Sequence, residues 1–411
     1  MSLPDLPPGT PFGLDNLPYG VFSHAGEPRR RAGVAVGDTV LDLSAAAEEA
    51  AAPFAPLLTS GVLNPLLAAG PATWREVRAR VTEWLTEERY AEQIRPHLLP
   101  RNEIVMHLPF EVADYVDFYS SEQHAINAGR IFFGDAAVLP PNWKHVPIGY
   151  HGRAGTVLAS GTPIVRPSGQ RKPRDETVPT YGPSRTLDIE AEVGFVVGTP
   201  SELGRPVPIG EFAEHVFGVC LVNDWSARDI QAWELQPLGP FLGKSFATSI
   251  SSWVVPLAAL EHARVTPPPQ DPEPLPYLRT AEPWGLDLAL EIRLNGHLVS
   301  SPPFATQYWT AAQQLAHLTA NGANLRTGDL YASGTVTGPE REQRGSLLEL
   351  SWGGREPFAV PGGQRTFLED GDEVVISASA PGPGGARIGF GEVRGTVVPG
   401  GSDHSARLRS T

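Results

Sequence analysis

The chain has 411 residues, 41% of them apolar, which is enough for a sizeable core and suits one small and one large domain. Its 46 acidic residues against 32 basic ones give a formal charge of −14, so no nucleic-acid partner is expected, and no apolar run reaches the roughly 18–20 residues that span a bilayer. Cys220 is the single cysteine, which excludes an intramolecular disulfide; Met1–Asp5 has neither the basic nor the apolar region of a secretory signal, so no membrane association and a cytoplasmic setting are expected.

With 43 Gly and 42 Pro the chain must turn often, which favours β architecture with long connections. In the first hundred residues, Gly33–Val36 and Val40–Leu43 read as short strands. Thr73 with Glu76 predicts a capping box that opens a helix, and Trp74, Val77, Val81 and Trp84 give that helix one apolar face. Composition changes after His97–Arg101, placing a boundary near residue 108 and dividing the chain into 1–108 and 109–411. Strands and turns dominate beyond it. Leu286, Leu288, Leu290, Ile292 and Leu294 alternate strictly, and Asn295-Gly296 then supplies the positive-φ pair of a tight hairpin. Val374–Ser377 and Val393–Val398 are further strands around a flexible run, Pro381–Ala386. A helix opens on a Thr310/Gln313 capping box and closes at Gly322. Pro267–Pro276 is too proline-rich for helix or central strand and reads as an extended surface arm. The tail from Gly400 to Thr411 reads as disordered.

Several stretches hold groups suited to chemistry. If Asp117–His124 is helical, Asp117 and His124 share a face two turns apart, with Tyr119 nearby; a solvent-facing acid and an ordinary hydrogen-bonded histidine are the plainer alternative. Leu187–Val197 reads as a strand with Glu190 and Glu192 on one face. Two adjacent carboxylates on an apolar strand repel unless a cation or solvent separates them, and hard cations bind such oxygen sets; a polar outer face is the alternative. Val216–Val222 reads as a buried strand leading into a short helix, on which Asp224, Arg228 and Gln231 fall on one face. There the choice lies between an ordinary helix start and a ligand site. In Pro240–Thr248 the GKS string lacks the upstream glycine of a phosphate-binding loop, and Lys244 among Phe241, Leu242 and Phe246 needs a negative partner. Glu349 either flanks a strand or orients the imidazole of His124.

The strings DYVDFYSSEQHA, PNWKHVPIGYHGRAG, SGTPIVRPSGQRKP, VNDWSARDIQAWE, PLGPFLGKSF, YASGT and GSLLELSW run in this order from about Asp114 to Trp352. Together they closely resemble the fumarylacetoacetase family. The resemblance implies a mainly β (α+β) protein with a large mixed β-sandwich roll, a small SH3-like amino-terminal barrel, and a homodimer. It implies a divalent cation, Mg²⁺ or Ca²⁺ with Mn²⁺ as a further option, held by Asp117, Glu190, Glu192 and Asp224, with Lys244 and Thr248 in the metal region. By the same resemblance His124 is the general base and Glu349 its orienting acid. Arg228, Gln231 and Lys244 polarise the substrate carbonyl and stabilise the departing enolate, and Tyr119, Tyr150 and Thr335 touch the substrate. Two positions depart from the family pattern. Phe133 stands where an arginine usually grips a substrate carboxylate, and Leu235 where a tyrosine is common. Arg130 or the Pro-rich arm is the expected replacement grip.

The activity so implied is metal-dependent hydrolysis of the carbon–carbon bond of 4-fumarylacetoacetate, an acidic diketone, to fumarate and acetoacetate, the last step of tyrosine and phenylalanine catabolism. Two alternatives stand beside it. One is a related hydrolase or decarboxylase acting on another β-diketo acid or acylpyruvate, which Phe133 and Leu235 keep open. The other is a non-catalytic metal-binding dimer, against which His124, Glu349 and Lys244 argue.

Overall fold

The structure, a computed structural model, describes residues 6–400 except Pro8, Asp135 and Arg174. The opening segment Met1–Asp5 and the tail beyond Gly400, both read above, lie outside the described residues. The fold is strand-rich α+β, built on two large sheets with four two-stranded ones beside them among the described residues.

The longer path of paired strands starts at Leu98–Pro100, runs through the amino-terminal strands Thr39–Asp42, Glu27–Val36 and Tyr19–His24, and passes without a break into Trp253–Pro256 and Val216–Asp224. It continues through Ala191–Val197, Leu330–Ala332, Tyr115–Phe118 and Gly149–His151. The small amino-terminal unit therefore extends the sheet of the large one, with Tyr19 paired to Val254 and Gly20 to Trp253. Tyr19–His24 also pairs with Ile104–His107. Among the described residues these pairings leave the amino-terminal sheet open rather than closed into a barrel. The second sheet has five strands and centres on Ala289–Leu294, Glu373–Pro381 and Arg387–Val398.

Strand periodicity explains how one strand serves two cores. In Ala191–Val197 every residue is buried. Val193, Phe195 and Val197 face a core shared with Leu290, Ile292, Ile376 and Phe390 of the second sheet. Val196 faces the other way, toward the amino-terminal core of Val34, Leu41, Val81 and Trp84. The adjacent strand Val216–Asp224 alternates likewise: Val219 and Leu221 lie in the first core, Cys220 and Val222 in the second. Glu190 and Glu192 have the parity of Val196, and Asp224 that of Val222. The acidic residues thus leave the sheet on the face of the second core, at its end.

The Asn295-Gly296 turn has positive φ at both residues and joins Ala289–Leu294 to His297–Ser300. The Thr310/Gln313 capping box is present, and the helix spans Ala311–Thr319. Val374–Ser377 and Val393–Val398 lie within longer strands, and a short 3₁₀ turn at Pro383–Gly385 joins them. The arm is outside helix and strand until Pro276, but it is tied down: Gln270 donates to the Tyr308 carbonyl at 2.7 Å and exchanges amide hydrogen bonds with Gln313. One local expectation fails. The helix Gly70–Thr86 begins three residues before Thr73, with Pro71 in its first turn and no side-chain cap, so Thr73 and Glu76 form no capping box. Proline fits a helix start because its missing N–H has no partner there in any case.

Candidate active site

Three of the sequence readings change in the structure. Asp117 and His124 do not share a helix. Asp117 belongs to the strand Tyr115–Phe118, and His124 lies in the first turn of the helix Glu122–Phe133, whose cap is the Ser121 hydroxyl accepting from the His124 amide at 3.2 Å. Asp224 ends its strand, and the following helix starts only at Arg228, so the expected common helical face is absent. The strand Leu187–Val197 is interrupted: Leu187–Asp188 and Ala191–Val197 are separate, with Glu190 in the break. The side chains still converge. Sheet pairing sets Ala332 between Asp117 and Gly194, so small residues leave room beside the acids on that face.

Asp117, Glu190, Glu192 and Asp224 are all buried and each offers a carboxylate oxygen within 4.8 Å of the others. Their partners differ. Lys244 Nζ bonds both Glu190 and Asp224, at 2.6 Å to the latter. Thr248 donates to the other Asp224 oxygen at 3.0 Å. Arg228 bridges Glu190 at 2.7 Å and Asp188 at 2.8 Å, and donates to the Gln231 side chain at 3.1 Å. Both oxygens of Glu192 and Oδ1 of Asp117 have no partner among the described residues. Five buried carboxylates, counting Asp188, thus face two buried cations. The free oxygens and the surplus negative charge fit a hard divalent cation, which takes several oxygen ligands in one cradle.

The electrostatics agree with that reading. Burial, reinforced by the neighbouring carboxylates, pushes Asp117 and Glu192 well above the ordinary carboxylate range, and burial also raises Asp224. Burial would raise Glu190 too, but Lys244 and Arg228 overcome it and hold that group below its usual value. Burial opposes the charge on Lys244, yet Asp224 and Glu190 keep it more basic than a free lysine.

A second arrangement adjoins the first. His124 Nδ1 lies 2.7 Å from Glu349 Oε2. Glu349, fully buried, also accepts from Asn127, Thr337 and Ser346 at 2.9, 3.0 and 2.9 Å. Burial raises a carboxylate, but His124 and these donors outweigh it, so Glu349 sits below its usual value. The Nδ1–H donates to the carboxylate, which leaves Nε2 as the basic atom.

Both arrangements border one cavity of about 420 Å³, lined also by Tyr119, Tyr150, Gln231 and Thr335. The Thr335 hydroxyl is buried without a partner among the described residues, and Tyr150 reaches Asp224 only at 3.4 Å. Gly334 brings Thr335 there: its φ is +77°, and a Cβ would meet the Phe118 carbonyl at 2.1 Å. Phe132, Phe133, Val138 and Leu235 line the outer part of the cavity. Arg130 instead lines a neighbouring groove with Lys144 and Pro272 of the arm. It is not in the lining of the 420 Å³ cavity, although Gly129 and Phe133 on the same helix are.

The sequence reading missed Asp188 as a site residue. It is fully buried, anchors Arg228, and accepts from the Leu347 and Leu348 amides at 2.8 and 3.0 Å, fixing the turn that carries Glu349. The i, i+2, i+4 acid series 188, 190, 192 was the available signal. Asn127, one helical step from His124, was also missed.

The family model described as Fumarylacetoacetate (FAA) hydrolase C-terminal matches residues 115–398, and that described as Fumarylacetoacetase N-terminal matches 15–109. The chain is 47% identical to fumarylacetoacetase of Homo sapiens over 97% of its length and 99% of that protein's. It is 47% identical to the Caenorhabditis elegans fumarylacetoacetase and 44% to that of Arabidopsis thaliana, over 97% of this chain and 99% and 98% of theirs. A solved fumarylacetoacetate hydrolase from psychrophilic Exiguobacterium antarcticum shares the fold, with a TM-score of 0.54 at 17% identity over 93% of this chain and 99% of that one. With both family models matched in order and near half of all residues identical to relatives of the same length, the chain belongs to the fumarylacetoacetate hydrolase family.

Proposed function

We propose that this enzyme hydrolyses the carbon–carbon bond of 4-fumarylacetoacetate, giving fumarate and acetoacetate, as the last step of tyrosine and phenylalanine catabolism. The observation that carries the reading is His124, held 2.7 Å from the buried Glu349, on the wall of the cavity that Asp117 and Glu190 of the four-carboxylate cluster also line. A binding protein has no need of an anchored base beside its metal cradle.

In this reading Asp117, Glu190, Glu192 and Asp224 hold Mg²⁺ or Ca²⁺, with Mn²⁺ in the same hard-oxygen class, and Lys244 and Thr248 complete the surround. When bound, the cation supplies Lewis acidity toward the diketone oxygens. His124 Nε2 takes a proton from water, whose oxygen forms a bond to the ketone carbon on the fumaryl side. As the carbon–carbon bond breaks, its electron pair leaves with the acetoacetate fragment as an enolate. The proton held by His124 balances that charge when the enolate carbon is protonated. Glu349 keeps the imidazole oriented and stabilises its cationic form. Lys244, Arg228 and Gln231 direct positive charge or N–H groups at the oxygens that gain charge, where one such donor is worth about 3–4 kcal/mol. Tyr119, Tyr150 and Thr335 position the substrate; the unpaired Thr335 hydroxyl supports that role.

The test is loss of 4-fumarylacetoacetate absorbance with added Mg²⁺ or Ca²⁺; no loss with either cation sinks the reading. A second reading has its own observation. Phe132, Phe133, Val138 and Leu235 surround the outer cavity, which suits a β-diketo acid or acylpyruvate with an apolar acyl end, and a substrate panel separates the two. The division into 1–108 and 109–411, a homodimer and a cytoplasmic setting belong to the same proposal. The two family matches, ending at 109 and starting at 115, support the division. Among the described residues no helix is long and apolar enough to cross a membrane.

A further inference from the structure

A separate cavity of about 270 Å³ lies where the helix Gly70–Thr86 meets the start of the strand Val216–Asp224. Its walls are aromatic. Trp74 and Tyr19 both meet Phe217 edge-on, at 5.3 and 5.4 Å between ring centroids, and Trp284 closes another side. Such walls suit a planar apolar group, and the volume suits a molecule with one ring.

The polar groups of the cavity are not balanced. Tyr19 is 2% exposed, and its hydroxyl has no hydrogen-bond partner among the described residues. Burial pushes this phenol up to about 12, so at neutral pH it is a hydrogen-bond donor. A ligand acceptor set against this hydroxyl would take its hydrogen bond. Arg75, Arg78 and Arg264 border the cavity against Glu261 and Glu282, leaving one positive charge in excess. Arg264 is paired with Glu282 at 3.0 Å and stacked 3.8 Å over Trp284, and Arg78 donates to the Asn16 and Asp15 carbonyls. Arg75 has no ion-pair partner among the described residues.

We propose that this cavity binds a small monocarboxylic acid bearing an aromatic ring. The ring lies among Trp74, Phe217 and Trp284, and the carboxylate accepts from the Tyr19 hydroxyl beside Arg78, with Arg75 supplying charge at the rim. None of these residues lines the cavity of His124, so the site is independent of the proposed reaction.

The test is calorimetric titration of the full-length, metal-loaded protein with 3-phenylpropionate. Saturable binding is expected, weakened about fivefold in Tyr19→Phe and by a similar factor in Arg75→Ala. Phenethylamine, with the same ring and the opposite charge, should not bind. Unchanged melting temperatures would show that both variants fold. The proposal is overturned by absence of saturable binding up to about 10 mM, by equal binding of phenethylamine, or by affinity unchanged in both variants.

Discussion

Glu192 and Glu349 are both fully buried glutamates bordering the same site, yet they are solved in opposite ways. Glu349 accepts from His124, Asn127, Thr337 and Ser346, and its charge is held by those donors. Glu192 has two oxygens and no partner among the described residues, with three carboxylates close by. A saturated carboxylate is fixed in place and can only orient something else. An unsaturated one is unstable as it stands and is available to a cation. On the proposed reading, the contrast divides a proton-transfer half of the site from a metal half.

The largest expected effect breaks the first half alone. His124→Ala should reduce turnover of fumarylacetoacetate to below about 1% while leaving calorimetric affinity for Mg²⁺ or Ca²⁺ unchanged. Glu349→Gln preserves shape but removes the charge behind the imidazole, so turnover should fall about a hundredfold with substrate and metal affinity kept. Glu192→Gln strikes the other half: metal affinity should drop by on the order of a hundredfold. At neutral pH the same substitution should raise the melting temperature of the metal-free protein, because it removes a carboxyl whose ionisation burial and its acidic neighbours disfavour.

The pH dependence of the metal-free protein sharpens the same contrast, since the two glutamates shift in opposite directions from the ordinary 4.5. Glu192 is raised, so its contribution is most favourable below 4.5 and is lost as pH rises through its folded value. Glu349 is depressed, so its contribution is present above 4.5 and is lost as pH falls through its folded value. Melting curves of wild type, Glu192→Gln and Glu349→Gln across pH should therefore diverge at opposite ends; parallel curves would remove the distinction. The smallest effect is expected at Arg130. Because it faces the neighbouring groove, Arg130→Ala should leave KM unchanged, and a KM raised tenfold would return it to the substrate.

Much of this was legible in the sequence where local chemistry decides the outcome. Asn295-Gly296 and the Thr310/Gln313 cap need only neighbours, and both formed. The four acids that the structure gathers were named together through resemblance, but their geometry was not legible. Asp117 and His124 were read on one helix because their spacing allows it. The Ser121 cap instead starts the helix after Asp117, whose strand is fixed by pairing with Leu330–Ala332, more than two hundred residues away. Asp224 was read as a helix start because strand pairing to Thr248 cannot be inferred from nearby residues. Asp188 was overlooked for a similar reason: its partners Arg228, Leu347 and Leu348 are 40, 159 and 160 positions away. The place of Arg130 was not legible from periodicity, since the cavity is lined by Ala128, Gly129, Phe132 and Phe133 on several sides of it.

The central claim is that one anchored base and one acidic cradle act together on a diketone. It is tested most directly by steady-state turnover of 4-fumarylacetoacetate by wild type and His124→Ala, with metal binding measured on both. Metal-dependent turnover in wild type, its loss in the variant and equal metal affinity in the two are the expected result. Turnover that survives in His124→Ala, or that proceeds in wild type after the divalent cation is chelated away, would contradict it.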